Sequence, residues 1–391
     1  MYVAVKGGET AINAAHDLLA KKRRGDTTVA GLSVAQIAGQ LPLVVDRIMN
    51  EGGIYDRELA GLAFKQASGD LIEAIFLLRA FRTTLPRFGI ANPVDTATMQ
   101  IERRVSATFK DLPGGQILGP TYDYTHRLLD FSLLAGCPEV AANLAATGAK
   151  GGKQNRNQDS QFQESQCQES QYQDSKQPVN EPTEHVEASS LTCGNAFDWI
   201  AKAGLLVEEH DSGAEPYDLT ESPLAFPATR PTRLQNLIRG DEGFLIGIAY
   251  SIIRGYGDSH PFCGEMRTGQ TEIRFEPEEL GFEICIGELQ LTECQMINGY
   301  SPAQRTPQFT RGYGLTFGRA ETKAMAVALV DRALQAEEYG EEQSSPAQDP
   351  EFILYHSDIV DAVGFVSHFR LPHYVDFQSE LHMLRQMRAA K

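Results

Sequence analysis

The stretch TEIRFEPEELGFEICIGELQL, residues 271–291, decides the fold. Ile273 and Phe275, then Phe282, Ile284 and Ile286, then Leu289 and Leu291 alternate with polar neighbours, which is the two-residue period of a strand with one buried face. Pro277 and Gly281 bracket a turn between the runs, so the segment predicts an antiparallel sheet. On both sides the period becomes helical. Upstream, Ala196 through Trp199, Ile200 and Leu205 reads as helix, as does Arg233 to Arg254; downstream, ETKAMAVALVDRAL (Glu321 to Leu334) is an amphipathic helix. The C-terminal run VGFVSHFRLPHYVDFQSELHMLRQMR reads as a strand or loop bearing two histidines, then a helix.

Further upstream the text is a helical layer. After strand-like Val3 and Val5, residues Ala11, Ile12, Ala14, Ala15, Leu18 and Leu19 repeat at helical spacing. Ser33 caps a second helix running through Val34, Ile37, Leu41, Val44, Val45 and Ile48. Asp56 caps a third, and Asp70 with Glu73 opens a fourth that ends near Phe81. A further helix is expected from Tyr124 to Leu134. Helices first and sheet later, without regular alternation, predict an α+β chain: an N-terminal helical region, then a mixed region with an antiparallel sheet and flanking helices. The regions expected are 1–149, mainly helical, and 191–391, α+β. Between them, 150–190 contains the five-residue repeat QDSQF, QESQC, QESQY, QDSKQ, which has no apolar face to offset ordering entropy and reads as a disordered insertion.

The 391 residues are 42% hydrophobic, which excludes global disorder, and the formal charge of −17 argues against nucleic acid as a partner. Six cysteines without a CxxC pair exclude a disulfide framework and a four-cysteine zinc site. No window is long and apolar enough for a membrane span, and no secretory leader is evident, so the expected location is the cytoplasm.

Several constellations are candidates for chemistry. Arg254, Gly255 and Gly257 lie in one RGYG segment and Arg311, Gly312 and Gly314 in a second. A glycine turn beside an arginine can direct N–H groups at a phosphate; the plain alternative is two tight turns with a packed tyrosine. His368 and His373 flank FRLP, with Asp376 three residues on, and Pro372 prevents a continuous helix between them. Two imidazoles can bind zinc but leave a tetrahedral site short of ligands. Asp241 and Glu242 are candidate carboxylates for an oxocarbenium-type reaction, or simply acids at a helix start. Asp123 and His260 complete the set of candidate catalytic residues.

The segments MYVAVKGGE, GPTYDYTHRLLDF, RGDEGFLIGIAYS, HPFCGE, FTRGYGLTFG, ETKAMAVALVDRAL and VSHFRLPHYVDFQ together resemble the I subunit of the carbon-phosphorus lyase core complex, over residues 1 to about 136 and about 193 to 378. The resemblance implies partnership with the G, H and J subunits and an ATPase-like L protein. It implies action on ATP and an alkylphosphonate: adenine leaves, and the phosphonate is joined to ribose carbon 1 of the 5-triphosphate. Alone, such a subunit is expected to act as a purine nucleoside triphosphate nucleosidase. The resemblance also places His368 and His373 in a zinc site at the boundary with the J subunit. Magnesium is expected with the triphosphate, because a hard dication suits clustered phosphate oxygens. Two other readings stay open: a mainly structural subunit that supplies zinc ligands and an interface, and a free-standing nucleotide hydrolase.

Overall fold

The computed structural model describes residues 7–131, 133, 194–209, 213, 217–255, 261–299, 306–370 and 373–390. The expected strand at Val3 and Val5 and the 150–190 insertion lie outside the described residues. Met1–Gly119 and Ser190–Lys391 form one compact unit, and Pro120–Ser189 a second. In chain order the helices are α1 (Gly8–Arg24), α2 (Val34–Gln40), α3 (Pro42–Gly52), α4 (Arg57–Gln66), α5 (Leu71–Arg82), α6 (Ala196–Lys202), α7 (Arg230–Arg239), α8 (Glu242–Gly255), α9 (Glu321–Ala333), α10 (Pro350–His356), α11 (Ile359–Ser367) and α12 (Tyr374–Ala389). The strands are β1 (Gln100–Val105), β2 (Phe262–Phe275), β3 (Ile284–Asn298) and β4 (Thr310–Phe317), in the order β1-β2-β3-β4 and antiparallel throughout. The fold is α+β, as the change of period predicts.

Capping explains where the N-terminal helices begin. Ser33 Oγ accepts from Gln36 N at 3.1 Å while Gln36 Oε1 accepts from Ser33 N at 2.8 Å, a reciprocal capping box. Asp56 takes Leu59 N, and Asp70 takes Ile72 N and Glu73 N. The single helix expected from Ser33 to Ile48 is two helices. Pro42 has no N–H to continue the first ladder and stands at the start of the second, with Leu41 between them in a non-helical conformation. Ile37, Val45, Ile48, Met49, Ala60, Ile75 and Leu78 form the buried core of this layer.

The hairpin between β2 and β3 turns at Pro277–Gly281, whose carbonyl at Pro277 accepts from Leu280 and Gly281, and Gly281 takes φ 66°. Helix α9 lies on one face of the sheet, over Met266, Cys294 and Met296. Its approach depends on two glycines of β4: a Cβ on Gly312 would stand 1.9 Å from the Ala328 carbonyl oxygen, and one on Gly314 2.1 Å from that of Ala324. The other face is buried but charged, with Arg104 on Glu265 at 2.5 Å and Arg267 on Glu293. A buried amide joins the helical layer to the sheet. Asn50 donates to the Phe317 carbonyl at 2.8 Å and accepts from Phe317 N at 2.7 Å.

Two local expectations need correction. No α-helix forms over the described part of 124–134: Tyr122–Thr125 makes a turn, Arg127 takes φ 54°, which interrupts a right-handed helix, and Phe131 and Leu133 belong to a 3-10 turn. Leu128 and Leu129 are more than 80% exposed at 82% and 83%, so this segment has no packed face to offset helix nucleation. The stretch before His368, expected as strand or loop, is helix α11, capped by Asp358 through Val360 N and Asp361 N.

Candidate functional site

The two histidines meet where α11 ends. His368 opens a single 3-10 turn to Arg370, and His373 is the residue before α12. Their ring centroids are 5.2 Å apart with the planes at 82°. His373 Nδ1 donates to Asp376 Oδ2 at 3.1 Å, and its Nε2 to the His368 carbonyl at 3.1 Å. The pKa of the ring is raised, first by the Asp376 hydrogen bond and then by the carbonyl. His368 Nδ1 is engaged by the Phe365 carbonyl. A metal would replace the Nε2 proton while Asp376 holds Nδ1, the usual way a carboxylate orients a ligating imidazole. Among the described residues no group of three or more His, Cys, Asp or Glu side chains is placed to hold a metal ion. Two imidazoles alone fall short of a tetrahedral ligand set.

The RGYG segments differ from their expected form. Arg311–Gly314 is not a glycine turn but the middle of β4, paired in register from Arg311↔Ile297 to Gly314↔Cys294. Strand pairing occupies its backbone, and Gly312 and Gly314 serve the close approach of α9 instead of an anion. The Tyr313 N–H itself is taken by Asp331 Oδ2 at 3.0 Å. Arg311 is committed to Glu209 and, at 3.1 Å, to Gln295 Oε1. Tyr313 donates to Glu293 Oε1 at 3.0 Å, and burial, then the Glu293 charge, push its phenol pKa up. In the other segment Arg254 and Gly255 end α8, and the Arg254 guanidinium stands 5.9 Å from the Tyr250 ring centroid. Gly257 and His260 lie outside the described residues.

Asp241 and Glu242 sit in a buried ionic cluster at the start of α8. Asp241 Oδ1 caps the helix through Phe244 N at 2.6 Å, and Oδ2 pairs with Arg47 at 2.8 Å. Glu242 N donates to Glu51 Oε1 at 3.1 Å, and Arg47 reaches the same oxygen at 3.0 Å. Burial opposes the charge on Arg47, but Glu51, Glu242 and Asp241 outweigh it and raise its pKa. Lys323 enters from α9, donating to the Gly240 carbonyl at 2.8 Å, and burial lowers its pKa. The half-buried carboxylate of Glu242 takes part in no hydrogen bond among the described residues, whereas the other unengaged oxygen of this cluster, Glu51 Oε2, is fully buried. Asp123 is exposed in the second unit, 3.8 Å from Arg127.

Glu51 and Lys323 escape a reading by motif. A signal for the second exists: Lys323 and Asp331 stand eight residues apart among Ala324, Val327 and Ala328, so both fall on the apolar stripe of α9, where a charge must find a buried partner. Glu51 offers only its i,i+4 spacing from Arg47 on α3; the Glu242 N–H and Lys323 reach it from two other helices.

Comparison with known proteins now bears on this arrangement. The chain is 54% identical over 388 residues, 99% of its length and 98% of the relative's, to alpha-D-ribose 1-methylphosphonate 5-triphosphate synthase subunit PhnI of Escherichia coli (strain K12). It is 51% identical over 391 residues, 99% of this chain and 95% of the relative, to the protein of the same name in Rhizobium meliloti (strain 1021). The family described as bacterial phosphonate metabolism protein (PhnI) matches residues 1–391. A match that runs through the helical layer, the sheet and the histidine turn alike makes this chain a member of the PhnI family of bacterial phosphonate metabolism proteins.

Proposed function

We propose that the chain works as a subunit of a ribose 1-methylphosphonate 5-triphosphate synthase, transferring the ribose 5-triphosphate of ATP onto an alkylphosphonate such as methylphosphonate. The observation that supports this most is its 54% identity, over 99% of the chain, to a subunit so named. In the reaction a phosphonate oxygen bonds to ribose carbon 1 as the bond from that carbon to adenine breaks. The electron pair goes to adenine, which leaves after taking a proton. When the chain is alone, water takes the phosphonate's place and the activity is that of a purine nucleoside triphosphate nucleosidase.

Displacement at an anomeric carbon builds positive charge on the sugar, which a fixed carboxylate stabilises. Glu242 suits that task, since no hydrogen bond among the described residues occupies its carboxylate oxygens. Zinc is held by His368 and His373, with the remaining ligands from the J subunit, and supplies a Lewis-acidic centre or a fastening between chains. Magnesium accompanies the triphosphate. The G, H and J subunits and the L protein are the partners, in the cytoplasm. No helix among the described residues is long and apolar enough to cross a membrane. The test is incubation with ATP and methylphosphonate, with and without these partners, and chromatography of free adenine; no adenine in any combination overturns the proposal.

A second reading, a structural subunit that provides zinc ligands and an interface, is favoured by one observation. Phe365, Phe369, Tyr374 and Phe377 around the histidine turn are all exposed, an apolar collar suited to a covering chain.

A further inference from the structure

We propose that Arg82 and Arg239 hold a phosphate-type oxyanion beside Gly53, at the C-terminal end of α3. Gly53 ends that helix in the left-handed conformation, φ 71°. A Cβ placed on it would lie 3.4 Å from Arg82 Nη1 and 3.9 Å from Arg239 Nε, so the glycine keeps open the space at which both guanidinium groups arrive. Neither group is used up. The Arg82 guanidinium makes no hydrogen bond among the described residues, and Arg239 spends Nη1 on the Leu219 carbonyl at 2.8 Å while its Nε is buried without a partner. An orphaned, buried guanidinium N–H is costly unless something accepts from it.

The helix end does not account for this convergence, because Arg79 already satisfies the Glu51 carbonyl at 2.7 Å and the Arg239 carbonyl at 3.1 Å. The neighbouring acids are largely committed elsewhere. Asp358 takes Arg79 through both oxygens at 2.7 Å, and Asp218 and Glu221 take Arg87 at 2.7 and 2.8 Å. Asp361 lines the same cavity as Arg239, and burial and then Asp358 raise its pKa. Burial lowers the pKa of both Arg82 and Arg239; Arg87 and Arg79 act in the same direction on the one, against Asp218 and Glu221, and Arg79 and Arg82 on the other, against Asp358 and Asp218. An oxyanion relieves that repulsion and supplies the missing acceptors. Access exists from both sides: Arg82 opens onto a cavity of about 640 Å³, lined also by Thr220 and Glu221, and Arg239 onto one of about 300 Å³, lined also by Leu219.

The test is calorimetric titration of the full-length chain with inorganic phosphate, methylphosphonate and tripolyphosphate in turn, a readout that does not depend on adenine release. Arg82→Gln and Arg239→Gln should each weaken, by about tenfold or more, whichever of the three the unaltered chain binds, while Lys65→Gln leaves it unchanged. The Arg82 guanidinium has no hydrogen bond to lose, so its variant keeps the fold, which circular dichroism checks. Preference for methylphosphonate or tripolyphosphate assigns the site to a substrate, and preference for phosphate to the free ion. Binding of none of the three, or binding unaltered in both variants, overturns the proposal.

Discussion

Lys323 Nζ lies 3.6 Å from Glu51 Oε1, and both side chains are wholly buried. The pair locks α9 to α3 while the Gly240 carbonyl takes one ammonium proton and Glu51 Oε2 stays without a partner. Removing one member leaves the other's charge buried and uncompensated, so Lys323→Met should destabilise the chain by about 3–5 kcal/mol. Adding Glu51→Gln should recover a good part of that, since Gln keeps an acceptor for Arg47 and Glu242 N. Urea denaturation of the two single variants and the double variant measures the coupling; strictly additive losses would show that the two do not interact.

Gly312→Ala tests the packing of α9 on β4. The added methyl would meet the Ala328 carbonyl oxygen at 1.9 Å, and backbone on both sides leaves no flexible group to yield. A loss of about 3 kcal/mol is expected, read as a lowered melting temperature. Gly281→Ala, where a Cβ meets nothing within 4 Å but φ is +66°, should cost about 1 kcal/mol from conformation alone.

These glycines mark the border of what was legible. The change of period around Pro277 and Gly281, and the caps at Ser33, Asp56 and Asp70, are local facts, and the chain follows them. The RGYG motif of β4 misleads because the same letters suit an anion-binding turn and a strand pressed against a helix. Only the tertiary approach of Ala324 and Ala328 separates the two. Likewise Tyr124 to Leu134 has helical spacing but no packed partner for Leu128 and Leu129. The site was legible where its parts are near in sequence, as with His368, His373 and Asp376. It was hidden where residues as far apart as Glu51, Asp241 and Lys323 converge.

Stability at low pH should depend on Asp218. Its burial opposes ionisation, but hydrogen bonds from Thr220 and the Arg87 guanidinium prevail and bring its pKa from 3.8 down to about 2. The folded state therefore binds this proton less readily than the unfolded one. The contribution is present above the unfolded value and is lost as pH falls through the folded value. Asp218→Asn should flatten the acid limb of stability between those two values, measured by thermal unfolding at stepped pH; an unchanged limb would assign the acid loss to other carboxylates.

Asp376→Asn separates a ligand-orienting role from simple loop structure. If Asp376 Oδ2 fixes His373 for a metal, the variant should retain zinc about 10- to 100-fold more weakly in the assembled complex, while α12 still forms. Metal content after dialysis against a graded chelator measures this. His368→Ala with His373→Ala should abolish the interfacial zinc altogether, and equal zinc in all variants would remove the pair from the site.

Glu242 and Asp241 are adjacent, and the structure gives them opposite tasks, so their substitutions should part company. Asp241 spends one oxygen on the Phe244 N–H and the other on Arg47. Asp241→Ala should therefore lower stability by about 1 kcal/mol from the cap, and somewhat more from stranding Arg47, with adenine release per folded molecule little altered. Glu242 spends no oxygen that way among the described residues. Glu242→Gln keeps the shape and removes the charge, so it should leave the melting temperature nearly unchanged and slow adenine release from ATP by about 100-fold. Chromatographic assay of adenine beside thermal unfolding of the same samples distinguishes the two effects. Adenine release that survives Glu242→Gln at full rate would move the stabilising carboxylate to another residue or to a partner chain.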